Sequence, residues 1–164
     1  MSNSETIFDY VNEHKQISST NDLVYGFGID DLGNMRYGKD TDNNWKDFIS
    51  AYPPLVVNGQ KQKPTFASEI NYNARRTILG YDDNYIYTIS IDNPGVNFDK
   101  AADIALNIGC KYAINLDGGG STRLLYEGKA YATAIYNRPI DNIVAIYVKK
   151  QESIAPTEQY LYRV

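Results

Sequence analysis

Residues 113–129, AINLDGGGSTRLLYEGK, set three consecutive glycines directly after an apolar run that ends in an aspartate, then add two hydroxyl residues and an arginine. The chain has only 12 glycines in 164 residues, and a glycine triplet costs conformational entropy while packing nothing. Two local reasons are open: a tight turn between strands, or a backbone that must approach a ligand closely. Before the triplet, KYAINL reads as a buried strand. After it, STRLLYEGKAYAT reads as a hairpin about Glu127-Gly128.

Outward from this stretch the chain alternates short apolar runs with turn chemistry. LVYGFGIDDLGNMRYG reads as a hairpin with an Asp-Leu-Gly-Asn turn, and TDNNWKDFISAYPP as a short helix with Trp45, Phe48 and Ile49 on one face and a proline stop. LVVNG is a brief strand ending in a turn, and residues 61–73 form a polar loop. RRTILGY and YIYTISI flank Asp82-Asp83-Asn84 as a second hairpin. DNPGVNFDKAADIALNIGC opens with a Pro-Gly turn and continues as an amphipathic helix. In it Phe98, Ala101, Ala102, Ala105 and Ile108 recur at helical spacing, Asn97 caps the start and Gly109 ends it. DNIVAIYVKK reads as a final strand. The order predicts an α+β fold, a mixed, largely antiparallel β-sheet built of hairpins with two helices packed on it. The domain spans residues 23–149, between an N-terminal extension over 1–22 and a C-terminal tail or linker over 150–164.

Composition narrows the function. The net charge of −4 and the lack of a basic run disfavour a nucleic-acid partner. No run is long enough to span a membrane and no secretory signal opens the chain, so neither a membrane nor classical export is expected. Cys110, the single cysteine, reads as a buried structural thiol, and His14, the single histidine, lies in a polar stretch away from the motifs. The 15 tyrosines suit a sugar-facing or partner-facing surface, or are simply strand residues.

At the end of its strand Asp117 occupies a favoured position for ligand chemistry. Gly118, Gly119 and Gly120 permit positive φ angles and successive N–H groups, an anion-binding nest, and Ser121, Thr122 and Arg123 add donors and charge. No lysine follows the glycines, so this is not a P-loop. A carboxylate would repel a bare phosphate but not a sugar attached to one: the nest takes the phosphate and Asp117 faces the sugar. The alternative is an Asp-Gly turn with Asp117 bonding its own loop. Arg75 and Arg76, if on a strand, point to opposite faces, so only one can enter a shared pocket. Arg138 lies in a loop before the final strand. Each of these arginines by itself also fits a solvated surface. No ligand cluster of recognisable spacing suggests a metal, and no cofactor is expected.

Taken together, NLDGGGST at 115–122, Arg-Thr-x-x-Gly at 76–80, Val57-Asn58-Gly59 and the late Arg138 resemble the pattern of the phosphodiester glycosidase family over roughly residues 23–149. The resemblance implies hydrolysis of a sugar-1-phosphodiester, with a carbohydrate phosphodiester or glycan polymer as partner, such as a cell-wall glycan or teichoic-acid-like polymer. It implies that the Gly118, Gly119 and Gly120 amides, Ser121 or Thr122, Arg76 and Arg138 hold the phosphate while Asp117 faces the anomeric carbon or activates water. Asp92 is a second carboxylate candidate or a turn residue, and Asn115 shares a face with Asp117 only if the strand bends. Family domains open with an Asn-Gly-x-Phe-Phe type strand that has no counterpart before Leu23. A fragment, an upstream segment or partner polypeptide that completes the fold, or a degraded relative would each account for this. The polar N-terminus, acidic balance and tyrosine content are similar to phage tail or virion-associated versions, which keeps open a catalytically incomplete glycan-binding module.

Overall fold

A computed structural model describes residues 10–12, 15–18, 25–39, 41–42, 45–63, 70–133, 135 and 143–147, the first two stretches as backbone alone. Five strands make the first sheet: β1 (Tyr10–Asn12), β2 (Lys15–Ser18), β3 (Tyr25–Ile29), β4 (Met35–Lys39) and β5 (Asp47–Ser50), in the order β2-β1-β5-β3-β4. Five more make the second: β6 (Pro54–Val57), β7 (Gln60–Lys61), β8 (Ala74–Tyr81), β9 (Ile86–Val96) and β10 (Tyr112–Asn115), in the order β7-β6-β10-β8-β9. Helix α1 (Phe98–Ile108) joins β9 to β10, and a small hairpin of β11 (Leu124–Tyr126) and β12 (Lys129–Ala132) follows. Every described strand pair is antiparallel, so the sheet is largely antiparallel as expected.

The expected pair of helices is corrected to one α-helix and a single 3₁₀ turn among the described residues. The segment read as a helix, 41–54, instead contributes β5, which pairs with β3 on one edge and β1 on the other. Trp45 and Phe48 are buried in either conformation, so burial alone does not choose between them. The choice is made by the neighbouring hairpin. The Trp45 ring lies on Gly28 and Gly38, where a Cβ at Gly28 would stand 2.1 Å from a ring carbon, and its Nε1 donates to the Lys39 carbonyl at 2.7 Å.

Both of the clearest hairpins form where the turn chemistry put them. In the β3–β4 turn Asp30 Oδ1 accepts from the Leu32 and Asn34 amides at 3.0 and 2.9 Å. In the β8–β9 turn Asp82 Oδ1 accepts from the Asn84 and Tyr85 amides, each at 2.7 Å. Helix α1 is capped as its sequence requires: Asn97 Oδ1 accepts from the Lys100 amide at 2.9 Å, and Gly109 takes φ +111°. The Pro-Gly pair at 94–95 is not a turn before the helix but part of β9, beside a register shift opposite Ala74. Gly95, at φ +76°, lets that strand touch Ala74, whose carbonyl carbon would lie 2.2 Å from an added Cβ.

Three layers result. One face of the second sheet buries Leu55, Val56, Ile78 and Ala113 against Phe98, Ala101, Ala102 and Ala105 of α1, with Cys110 beside them. The other face packs Leu79 and Ile114 against Phe27 and Ala51. Tyrosines fill this inter-sheet layer: Tyr81 and Tyr112 stack at 4.9 Å, Phe27 meets Tyr81 edge-on at 5.0 Å, and Tyr81 Oη accepts from the Tyr37 amide at 2.9 Å. Burial pushes the Tyr37 and Tyr81 hydroxyls up to about 12. These tyrosines are strand residues filling an interior rather than a sugar-facing surface.

At the N-terminus, β1 and β2 lie in the stretch read as an extension, yet they lengthen the first sheet through β5. The expected final strand is corrected over its described part: residues 143–147 form none, and Ile143, Val144, Ile146 and Tyr147 are exposed. An apolar run makes a strand only where a sheet edge accepts its backbone. The tail over 150–164 lies outside the described residues, and among those described no helix is long and apolar enough to cross a membrane.

Two measurements check this architecture. Burial pushes the Cys110 thiol up to about 11, so native protein at pH 8 resists alkylation that proceeds at once in denaturant. The Tyr87 hydroxyl, at 2.7 Å from Asp82 Oδ2, and the two turn amides hold the Asp82 carboxyl below its usual 3.8. A depressed folded value contributes stability above pH 3.8 that is lost as pH falls through it. Asp82→Ala should therefore cost about 1 kcal/mol in chemical denaturation at pH 7, and the gap to wild type should close in acid.

Candidate active site

Strand β10 occupies the middle of the second sheet, paired with β6 and β8. At its end the Leu116 amide donates to the Thr77 carbonyl at 2.8 Å, and the next residue, Asp117, is exposed. Gly118 is extended and lies against β8, where a Cβ would stand 2.7 Å from the Arg75 carbonyl oxygen. Gly119 alone of the triplet takes a positive φ, +57°, and starts the 3₁₀ turn Gly119–Ser121. The triplet thus has two distinct causes, close approach at Gly118 and a left-handed backbone at Gly119.

This turn uses some of the groups expected to bind an anion. The Ser121 amide donates to the Gly118 carbonyl at 3.0 Å and the Thr122 amide to the Gly119 carbonyl at 3.4 Å, so these two amides are engaged within the turn. Ser121 is 7% exposed and Thr122 fully buried, with the Thr122 hydroxyl lacking a partner. Asn115 is buried as well, its Nδ2 donating to the Leu116 carbonyl at 2.8 Å and the Tyr52 carbonyl at 3.3 Å, so its amide braces the start of the loop.

The adjacent arginines divide as strand alternation requires, and both are buried. Arg76 turns to the α1 face. Its Nε donates to the Val96 carbonyl at 3.0 Å, its Nη2 to those of Tyr72 and Ile70 at 2.6 and 3.5 Å, and its guanidinium lies 3.8 Å from the centre of the Phe98 ring. Burial lowers its pKa. Arg75 turns to the opposite face, as do Thr77 and Leu79. Its Nε lies 2.6 Å from Asp92 Oδ1 and its Nη2 donates to the Thr133 carbonyl at 2.8 Å. Two residues along, the Ile135 amide donates to the Gly120 carbonyl at 3.0 Å. A three-residue segment spans about 10 Å at most, so the Arg75 guanidinium and the glycine turn flank one short stretch of chain.

Of the residues the sequence singles out, the structure therefore gathers Asp117, Gly118, Gly119, Gly120 and Asp92 around one end of β8 and β10. It gives Arg76, Asn115 and Thr122 internal partners or full burial, and Arg138 lies outside the described residues. Sequence reasoning named Arg75 only as one of two alternatives, and it missed Thr77 and Ser90. Thr77 and Ser90 face each other across β8 and β9, each with a buried hydroxyl that has no partner. The alternation signal allows only one of the two arginines into a shared pocket, and the position of α1 decides which of them turns the other way. A cleft of about 370 Å³ lined by Met35, Tyr81, Asp83 and Tyr85 lies at the far end of β8, about 20 Å away by strand rise, and is a separate feature. Among the described residues no group of three His, Cys, Asp or Glu could hold a metal ion.

Two glycine variants separate the causes of the triplet. Gly118→Ala forces a Cβ onto a backbone oxygen and should destabilise by about 2 kcal/mol, whereas Gly119→Ala, open around its Cβ, should cost about 1 kcal/mol of left-handed strain. Arg76→Met strands three carbonyls and should lower stability by about 2–4 kcal/mol in a denaturant melt.

Comparison with known proteins bears on the family and the fold. A model of the phosphodiester glycosidase family matches residues 5–147. The catalytic domain of zebrafish N-acetylglucosamine-1-phosphodiester alpha-N-acetylglucosaminidase, auto-inhibited by its pro-peptide, superposes with a TM-score of 0.60 at 20% identity, over 76% of this chain and 49% of that one. The chain thus spans about half the length of the zebrafish domain. A hypothetical protein from Synechocystis superposes with a TM-score of 0.52 at 25% identity, over 62% of this chain and 21% of its own. No curated protein matches by sequence. Since the family match runs through both sheets and the Asp117 loop, the chain belongs to the phosphodiester glycosidase family.

Proposed function

We propose that the chain hydrolyses the bond between a sugar's anomeric carbon and a phosphodiester, in a cell-wall glycan or teichoic-acid-like polymer. The observation that carries this reading is the exposed Asp117 at the end of a buried strand, beside a glycine turn packed on Arg75. Water adds to the anomeric carbon, the carbon–oxygen bond to phosphorus breaks, and a phosphate monoester departs with the bonding pair. Its second ionisation lies at about pH 6, so it leaves far more readily than a sugar alkoxide and needs little general-acid help. What needs stabilising is negative charge on the departing phosphate and positive charge on an oxocarbenium-like sugar. The Gly118, Gly119 and Gly120 amides with Arg75 suit the first, and the Asp117 carboxylate suits the second or orients the water. Arg75 takes the anion-holding role that the motif alone gave to Arg76, because the Arg76 guanidinium is engaged on the other face.

The test is release of free sugar and phosphomonoester from an N-acetylglucosamine-1-phosphodiester and from a teichoic-acid-type polymer, read by mass spectrometry. Asp117→Asn should lower kcat by about 10²–10⁴-fold with an unchanged melting temperature. Arg75→Gln should raise KM as well. If wild type retains the polymer but yields no product, the chain is a glycan-binding module and the hydrolytic reading is wrong.

A further inference from the structure

The Arg75–Asp92 pair is asymmetric: the arginine side chain is 5% exposed and the aspartate 59%. The arginine is almost wholly shielded from water, whereas the carboxylate is already more than half exposed to it. The contact is also imperfect. Although Asp92 Oδ1 lies 2.6 Å from Arg75 Nε, the Nε–H has no acceptor in line and remains a buried donor without a hydrogen bond. On the same face the buried Thr77 and Ser90 hydroxyls also lack partners. Buried polar groups left in this state are uncommon, and a water or a bound ligand is what would satisfy them.

We propose that Asp92 is a positioning residue that stands in for the substrate's phosphate, holding Arg75 in the free protein and yielding it to the incoming anion. This rests on the reading of the Asp117 loop as a phosphodiester site. A buried guanidinium is unfavourable unless carbonyls or a counter-charge meet it, and Arg75, which has one carbonyl where Arg76 has three, relies on the carboxylate beside it in the free protein. A phosphate supplies more charge and more acceptor oxygens than Asp92, in a geometry that matches the guanidinium fork. When it binds, Asp92 moves to the solvent side and the Nε–H gains an acceptor. The carboxylate thus lowers affinity for bare anions and keeps the arginine oriented until a ligand with further contacts to the sugar side displaces it.

The test uses the full chain and inorganic phosphate at constant ionic strength, with chloride as the control, followed by calorimetry and thermal melting. Asp92→Asn keeps the shape but removes the competing charge. It should melt below wild type in chloride, bind phosphate about tenfold more tightly, and gain more melting temperature from phosphate than wild type does. The neutral pair Arg75→Gln with Asp92→Asn should lose the phosphate response. If Asp92→Asn does not fold in chloride, phosphate must restore its folding, and failure to do so overturns the proposal. Equal or weaker phosphate binding by Asp92→Asn overturns it too, as does an undiminished response in the double variant. Phosphate binding does not need turnover, so the two readings fail separately. Sugar release without the Asp92→Asn gain sinks this inference alone, and the gain without sugar release sinks the hydrolytic reading alone.

Discussion

Strand β10 is closed in on every side, and the rest of the architecture follows from that enclosure. Its two edges pair with β6 and β8, Ala113 faces α1, and Ile114 faces the first sheet. A four-residue strand so enclosed has no freedom of register, because a slip of one residue would exchange the residues that face the helix with those that face the tyrosines. Where the strand stops, the Leu116 amide is fixed to Thr77, and the exposed aspartate that follows inherits the rigidity of the interior. The surface feature of greatest chemical interest is thus positioned by the least exposed strand.

The same logic explains how two neighbouring arginines acquire different roles. Each is almost fully buried, which is tolerable for a guanidinium only when its donors are met. Arg76 is met by carbonyls of the loop before β8 and of β9, with the Phe98 ring beneath it, so it ties the helix start to the sheet. Arg75 donates to one carbonyl of the chain after β12 and otherwise has an exposed carboxylate beside it as counter-charge, with its Nε–H left without a hydrogen bond. The first set of partners is all backbone and cannot be exchanged without unfolding. The second includes a side chain that can move, and this difference separates an arginine of the scaffold from one suited to a ligand.

Tyrosine offers a parallel lesson. Its abundance fits a polar contact surface or an interior that needs rigid rings with a polar tip, and the inter-sheet layer is the second. Tyr81 serves two purposes there, stacking on Tyr112 and accepting the Tyr37 amide with its hydroxyl. Phenylalanine at position 81 could do only the first. Other tyrosines, Tyr85 and Tyr126 among them, are exposed, so composition could not assign individual rings.

By itself the sequence determined the elements whose causes are local. Asp30 and Asp82 bond amides within a few residues, Asn97 and Gly109 bound a helix whose apolar spacing is plain, and the Asp-Gly-Gly-Gly run marks an unusual turn after a buried strand. The family pattern was legible for the same reason, since it consists of such short runs. Tertiary structure decided everything that depended on which surface lay opposite. The Trp45 segment became a strand because glycines on a neighbouring hairpin receive its ring and two strands claim its backbone. Arg75 rather than Arg76 turns toward Asp92 and the chain after β12 because α1 covers the other face. Thr122, a hydroxyl in the motif, ended fully buried, whereas Asp117 stayed exposed. Local chemistry fixes a turn or a cap, but a side chain's partner across a sheet is a property of packing, which no single stretch of sequence contains.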